Sequence, residues 1–331
     1  MAIANPVVKK PPEPLKGIDP VISAKHLTKK FDDQIAVQDV SFEVPGASIF
    51  GFIGPSGSGK TTTVRLLTGV IIPTDGQVTV FNHNPARFSQ SERARIGYMP
   101  QLFVLYPDLT VWENLDFAAS LYGMSIFRSK RMNEALEFVE LYPHRWKLAR
   151  NISGGMLRRL SLAATLVHNP QMLFLDEPTA GIDPVLRRKF WDHFRELKNQ
   201  GRTVFITTQY VSEADNCDLV GVQNEGKLLL VDTPRGIRHH AYGGDMVDFQ
   251  TAQPFDYQPE AELRLLPFVR ARTARTGPNS MRIIVNQAST DIPELMRWAQ
   301  QQNIQVKSLE EYMPSFEDVF VEVVHPEVGH E

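Results

Sequence analysis

Residues 54–61 read Gly-Pro-Ser-Gly-Ser-Gly-Lys-Thr, a glycine-rich run closed by a lysine and a hydroxyl residue. Gly54, Gly57 and Gly59 let the backbone curl until its N–H groups converge on one point, which suits an anion. The G-x-x-x-x-G-K-[ST] spacing is that of a loop cradling a nucleoside triphosphate. Lys60 then reaches the β- and γ-phosphates, and the Thr61 hydroxyl ligates Mg2+. Such a loop works only between a strand and a helix N-terminus, whose partial positive charge adds to the site. Ser48-Ile-Phe-Gly-Phe-Ile53 supplies the strand and Thr62-Thr-Val-Arg-Leu-Leu67 the helix.

Two further constellations carry chemistry. Met172-Leu-Phe-Leu-Asp-Glu177 is an apolar strand ending in two carboxylates. Asp176 is placed to hold Mg2+ through a water, and Glu177 to orient or deprotonate an attacking water. Neighbouring strand residues point to opposite faces, so the two acids can serve separate roles. Ile152-Ser-Gly-Gly-Met156 opens a helix on which Leu160, Ala163, Ala164 and Val167 form one apolar face. Ser153 can cap that helix, and Gly154 and Gly155 bare its first N–H groups, giving a second anion site. One chain does not easily bring both anion sites to one nucleotide. A head-to-tail dimer with two nucleotides at its interface does.

The elements that position these groups alternate. Residues 21–44 read as β structure, Val78-Thr-Val-Phe81 as a short strand, and residues 109–167 as mainly helical. Residues 184–199 read as a helix closed by Gly201, and Val204-Phe-Ile-Thr-Thr208 as a buried strand. Strands alternating with helices predict a mainly parallel α/β sheet. After Tyr242-Gly243-Gly244 the pattern changes. Strands at 246–250 and 281–285, a helix at 292–302, and a capping box at Ser315-Phe-Glu-Asp318 predict a small α+β domain. It holds no cluster of ligands or catalytic groups and reads as a structural or regulatory appendage. The expected division is a flexible tail at 1–20, a nucleotide-binding domain at 21–243 and an accessory domain at 244–331.

Composition narrows the classes. The 331 residues carry a net charge of −3, so nothing suggests a general nucleic-acid binder. One cysteine, Cys217, excludes an intramolecular disulfide and a Cys-based zinc site, and fits a reducing compartment. No stretch approaches the length of uninterrupted apolar sequence that spans a bilayer. The N-terminal residues have five prolines and no apolar core of the kind a secretory signal needs.

With these motifs in this order, the sequence resembles the nucleotide-binding subunits of ATP-binding cassette (ABC) transporters from residue 21 to about 235. Gly54, Pro55, Ser56, Gly57, Ser58, Gly59, Lys60, Thr61 and Thr62 match the Walker A loop, and 173–177 the Walker B strand. Residues 152–156 match the signature motif, which puts Ser153, Gly154 and Gly155 on the nucleotide of a second subunit. Gln101, in Tyr98-Met-Pro-Gln101, matches the Q-loop glutamine, which contacts Mg2+ and the catalytic water. Asp183, in Ala180-Gly-Ile-Asp183, matches the D-loop, and Phe31 the aromatic position that stacks on adenine.

The resemblance implies an α/β P-loop NTPase cassette. Its parts are a mainly parallel sheet core, an antiparallel β subdomain and a helical signature subdomain at about 102–167, followed by the small C-terminal domain. It implies ATP and Mg2+ as cofactors and ATP hydrolysis with Glu177 as base. It also implies a second ATPase subunit, with a homodimer favoured because both half-sites look complete. A separate transmembrane permease and a peripheral position at the cytoplasmic face of the membrane follow, with no nucleic-acid partner. Leu102, Phe103, Leu105, Tyr106 and Trp112 fall where the family docks its permease. Local wording at 105–115 and 314–320 resembles the daunorubicin-resistance group of exporter ATPases.

One departure matters. Most cassettes carry His at the switch position, and this chain has Gln209. A Gln amide still donates to phosphate but carries no charge and does not titrate. Exporters of the daunorubicin type often share that residue. Ile152 for the usual Leu is a mild apolar exchange. A soluble cassette ATPase acting on ribosomes or DNA is the competing reading. Ribosome-acting relatives usually carry two cassettes and DNA-repair relatives long coiled coils, and neither is visible here. A small-molecule kinase would lack the Ser-Gly-Gly signature. A dinucleotide-binding oxidoreductase would not continue Gly57-Ser-Gly59 into Lys-Thr-Thr.

Overall fold

The computed structural model describes residues 20–102, 104–254 and 257–325. The predicted tail, apart from Pro20, and Phe103 lie outside the described residues. The chain divides into two compact units, Met1–Asp232 and Thr233–Glu331.

In the first unit, β1 (Pro20–Phe31) and β2 (Gln34–Pro45) form an antiparallel pair that β4 (Asp75–Val80) extends into a three-stranded sheet of order β2-β1-β4. Between them in sequence lie β3 (Ile49–Ile53) and α1 (Lys60–Leu67), which flank the glycine-rich loop. Then come α2 (Gln90–Arg93) and β5 (Ile96–Met99). The helical segment contributes α3 (Val111–Leu121), α4 (Ser129–Phe138) and α5 (Gly154–Leu166). The unit ends with β6 (Met172–Asp176), α6 (Pro184–Asn199), β7 (Thr203–Thr208), β8 (Leu219–Asn224) and β9 (Lys227–Asp232).

These strands make a six-stranded sheet of order β5-β6-β7-β3-β8-β9, parallel except for the antiparallel β9 edge. Every residue of β3, β6 and β7 is buried, as expected of central parallel strands covered on both faces. Phe42, Phe50, Phe52, Phe174 and Phe205 gather beneath the glycine-rich loop. Phe50 and Phe205 stack at 5.3 Å, and Phe42 lies 5.5 Å from both Phe50 and Phe52. Each such buried ring contributes about 2–3 kcal/mol to the packing that anchors the strand from which the loop rises. Cys217 packs directly on this strand. A Cβ at Gly51 would lie 2.6 Å from its Sγ, and burial raises its thiol pKa well above the ordinary value. It is a packing residue.

In the second unit, α7 (Pro234–Tyr242) precedes β10 (Asp245–Thr251), α8 (Tyr257–Leu263), β11 (Val269–Gly277) and β12 (Ser280–Val285). Next come α9 (Ala288–Gln301), β13 (Val306–Tyr312) and α10 (Phe316–Val324), the last capped by Ser315. The four strands form an antiparallel sheet of order β11-β12-β10-β13, against which Leu295, Trp298 and Ala299 of α9 pack. The division falls before α7, whereas the sequence reading placed it at 243/244. Gly243, at φ 72°, is the left-handed stop of α7, and a Cβ at Gly244 would lie 2.3 Å from the Val285 carbonyl. The two glycines therefore end a helix and permit a close approach. The buried Asp245 ties α7 to this unit by accepting from Arg235 Nη2 at 3.1 Å and pairing with His239 Nδ1 at 2.9 Å.

His168, just beyond α5, fixes the helical segment to the sheet edge. Its Nε2 donates to the Ile96 carbonyl at 3.0 Å, and its ring stacks on Tyr122 at 3.5 Å. Nδ1 is buried without a hydrogen-bond partner, and burial lowers the pKa from 6.5 to about 4. The folded state thus holds the neutral ring, while the unfolded chain takes up a proton below about pH 6.5. Stability is complete above that pH and falls as pH drops toward 4, by about 2 kcal/mol between pH 7 and pH 5 from this group alone. Denaturant melts at the two pH values should show that loss, and His168→Phe, which keeps a ring against Tyr122, should remove most of the difference. An unchanged pH dependence in the variant would contradict the assignment.

Candidate functional site

The glycine-rich loop is shaped by contacts that only glycine permits at two positions. A Cβ at Gly54 would sit 2.1 Å from the Gln223 carbonyl. Gly59 has φ 102°, and a Cβ there would lie 2.3 Å from the Ala36 carbonyl. Pro55, Ser56 and Gly57 are exposed at the crest, and Ser58 is buried beneath it. Lys60 is 5% exposed and donates from Nζ to the carbonyls of Gly54 and Pro55 at 2.8 and 2.9 Å. Burial lowers its pKa, opposed by the carboxylates of Glu177 and Asp176. Thr61 and Thr62 stand in the first turn of α1, half-buried.

Strand β6 delivers the two acids. Asp176 is fully buried; its Oδ1 accepts from the Thr207 hydroxyl, and its Oδ2 has no hydrogen-bond partner. Burial raises its pKa, while the Thr207 and Thr61 hydroxyls pull it down. The strand stops there. Glu177 has φ 53°, in the left-handed region that a non-glycine residue adopts at a cost of roughly 1 kcal/mol or more. The expectation that strand pleating separates the two acids is thus replaced by a turn that performs the separation. Glu177 N–H donates to the Thr207 carbonyl at 3.0 Å and to its hydroxyl at 3.1 Å. The Glu177 carbonyl accepts from Ala180 N–H at 3.3 Å and from the Arg158 guanidinium. Its carboxylate accepts from Gln209 Nε2 at 2.7 Å, and Gln209 Oε1 accepts from the Ser56 hydroxyl at 3.1 Å. Gln209 therefore links the crest of the loop to the acid, in a cleft also lined by Ala180, Thr208 and Tyr210.

The remaining expected residues lie around this centre. Gln101 is exposed, and its carbonyl is 3.4 Å from Arg158 Nη2. Among the described residues, the Ser153 hydroxyl is used within its own helix, accepting from Met156 N–H at 3.3 Å and capping α5. A Cβ at Gly155 would meet the Gly181 carbonyl at 3.7 Å. Asp183 caps α6, accepting from Val185 and Leu186 N–H at 3.1 and 3.0 Å. Phe31 is 45% exposed at the end of β1, with Lys29 Nζ 5.1 Å from its ring centre. Thus the structure joins residues 54–61, Asp176, Glu177 and Gln209 directly, and Gln101 through Arg158. Two residues with contacts in this centre were not anticipated. Thr207 had a signal, a hydroxyl residue inside an apolar strand. Arg158 had a weaker one, a charge beside the apolar face of α5.

The chain is similar in sequence and fold to known proteins. A family model described as ABC transporter matches residues 37–180, and one described as ATP-binding protein DrrA1-3-like, C-terminal domain, matches 233–324. A probable multidrug ABC transporter ATP-binding protein, YbhF of Escherichia coli (strain K12), is 39% identical over 71% of this chain. That alignment spans 41% of the relative's own length. The Nod factor export ATP-binding protein I of Ralstonia nicotianae is 36% identical over 72% of this chain and 75% of that protein. Among solved structures, the dimeric post-hydrolysis state of the ATP-binding cassette MJ0796 bound to ADP and Pi superposes with a TM-score of 0.60. It shares 26% identity over 64% of this chain and 98% of that one. At this identity and coverage the chain belongs to the family of ABC transporter ATP-binding proteins, and it carries a DrrA1-3-like C-terminal domain.

Proposed function

We propose that this chain is the ATP-hydrolysing motor subunit of an ABC exporter, working as a homodimer on a separate transmembrane permease. The observation that carries the reading is the continuous link from Ser56 through Gln209 to the Glu177 carboxylate. It aligns a phosphate-binding loop with a general base. The residues fit the cofactors. The loop backbone at Gly54 and Gly59 excludes any side chain, and Asp176 Oδ2 is an orphaned, buried acceptor suited to Mg2+ or its water. Mg2+, when bound, neutralises charge on the phosphate oxygens.

In this reading the loop amides of residues 54–62 and Lys60 hold the phosphates, and Phe31 stacks on adenine. Thr61, Gln101 and Asp176 serve the metal. Glu177 accepts a proton from the water, and Gln209 both steadies that carboxylate and donates to the γ-phosphate. Ser153, Gly154 and Gly155 of a second copy close the site, with Asp183 beside the interface. The likeness to a dimeric cassette supports this arrangement. Catalysis is then positioning and charge stabilisation. Closing and reopening of the dimer drive the permease.

For the permease, the support is the apolar surface just after Gln101. Leu102 and Val104 are each 77% exposed, and Tyr106 packs edge-on against Phe117 at 4.8 Å. No helix among the described residues is long and apolar enough to cross a membrane. A motor subunit that works on a separate permease would sit peripherally, at the cytoplasmic face of the membrane. One relative is named as a probable multidrug ABC transporter ATP-binding protein and another as a Nod factor export ATP-binding protein, which favours export here. The second unit is read as an accessory domain.

Two measurements test the reading. Gln209→Ala should lower kcat for ATP about tenfold or more, with a smaller change in ATP affinity. Wild-type turnover should show no titration from this position between about pH 6 and 8, whereas Gln209→His should introduce a limb near pH 6.5. Unchanged turnover and affinity in Gln209→Ala would remove the γ-phosphate role. Affinity capture of the chain from gently solubilised membranes should recover a stoichiometric polytopic protein, and Leu102→Asp should reduce that recovery while sparing nucleotide binding. Ribosomal or chromosomal partners without a membrane protein would contradict the transport reading.

A further inference from the structure

Arg158 is 9% exposed and sits on α5, the helix that Ser153 caps. Its guanidinium forks. Nη1 donates to the Glu177 carbonyl, and Nη2 lies 3.4 Å from the Gln101 carbonyl. Glu177 is held in the left-handed region at φ 53°, and its N–H is fixed by Thr207. The orientation of its carbonyl is the other half of that constraint. A peptide rotation there would swing the carboxylate off Gln209 Nε2, now at 2.7 Å.

We propose that Arg158 is a positioning residue that sets Glu177 and the Gln101 loop from the signature helix, so that engagement of α5 with a nucleotide aligns the base of its own chain. The inference rests on the dimeric reading above. In that reading Ser153 serves the second copy's nucleotide while Arg158, on the same helix, serves its own chain's acid. One rigid helix then connects the two sites of the dimer. A planar fork suits the task because it can hold two backbone carbonyls at once, which an ammonium on a flexible stem does less well. The buried carboxylates of Asp176 and Glu177 compensate the charge: burial lowers the Arg158 pKa and those acids raise it.

The test uses the full chain as wild type, Arg158→Met, Arg158→Lys and Glu177→Gln. Arg158→Met keeps the apolar stem and should lower kcat about tenfold or more while the Kd for a fluorescent ATP analogue changes less than about twofold. Arg158→Lys should recover part of kcat. Amide hydrogen exchange should quicken together in residues 99–102 and 176–181, with the body of α5 still protected. Wild-type turnover that Glu177→Gln abolishes upholds the ATPase reading by itself. If turnover and exchange in both Arg158 variants then match wild type, the inference is overturned while that reading stands. If the only change is a lower melting temperature, Arg158 is structural and the inference also fails. If the wild type does not turn over ATP, the ATPase reading fails, and exchange in the two segments still decides whether Arg158 anchors them.

Discussion

The structure depends on placing two carboxylates at the buried end of β6 beside a glycine-rich loop. Asp176 is fully buried and Glu177 nearly so, and neither is tolerable in a low-dielectric site without fixed polar partners. The fold provides them from every side. Thr207 of β7 serves both acids, Lys60 and Arg158 bring positive charge, and Gln209 binds the outer carboxylate. The cations are buried as well, and their pKa values fall through desolvation while the acids hold them up. The centre is therefore a balanced set of charges, in which each member fixes the geometry of the next.

That set stands on a rigid platform. The loop rises from β3 in the interior of a six-stranded sheet, and the strands on either side, β7 and β8, each contribute to it. β7 supplies Thr207 and leads into Gln209. The Gln223 carbonyl at the end of β8 is the wall that restricts position 54 to glycine. Phenylalanines from β2, β3, β6 and β7 fill the space below. Groups that must meet within hydrogen-bonding distance are thus borne on adjacent strand ends, where parallel α/β sheets place ligands.

The most legible parts of the sequence were those where chemistry and local structure coincide. The glycine-lysine spacing fixed the loop, the apolar run before Asp176 identified β6, and the helix read at 184–199 is α6. Ser153 as a helix cap was equally visible, because capping is a local property. The positive φ of Glu177 was invisible, since the residues that bond its backbone, Thr207 and Arg158, are distant in sequence. Arg158 itself looked like an ordinary helix charge. The glycines at 243 and 244 suggested a domain boundary, because composition does not distinguish a linker from a helix stop. The strands β11 and β13 escaped because charged residues such as Arg270, Arg275, Lys307, Glu310 and Glu311 interrupt their apolar alternation.

The central claim is that each nucleotide site is built from two copies of this chain, the loop and acids of one facing the signature helix of the other. The most direct measurement mixes two inactive variants, Lys60→Ala and Ser153→Arg, and follows phosphate release from Mg-ATP. In a mixed dimer one of the two sites keeps an intact loop and an intact signature. The account predicts that the mixture hydrolyses ATP although neither variant does so alone. A mixture as inactive as its components, with mixed dimers shown to form, would contradict it and place the whole site within a single chain.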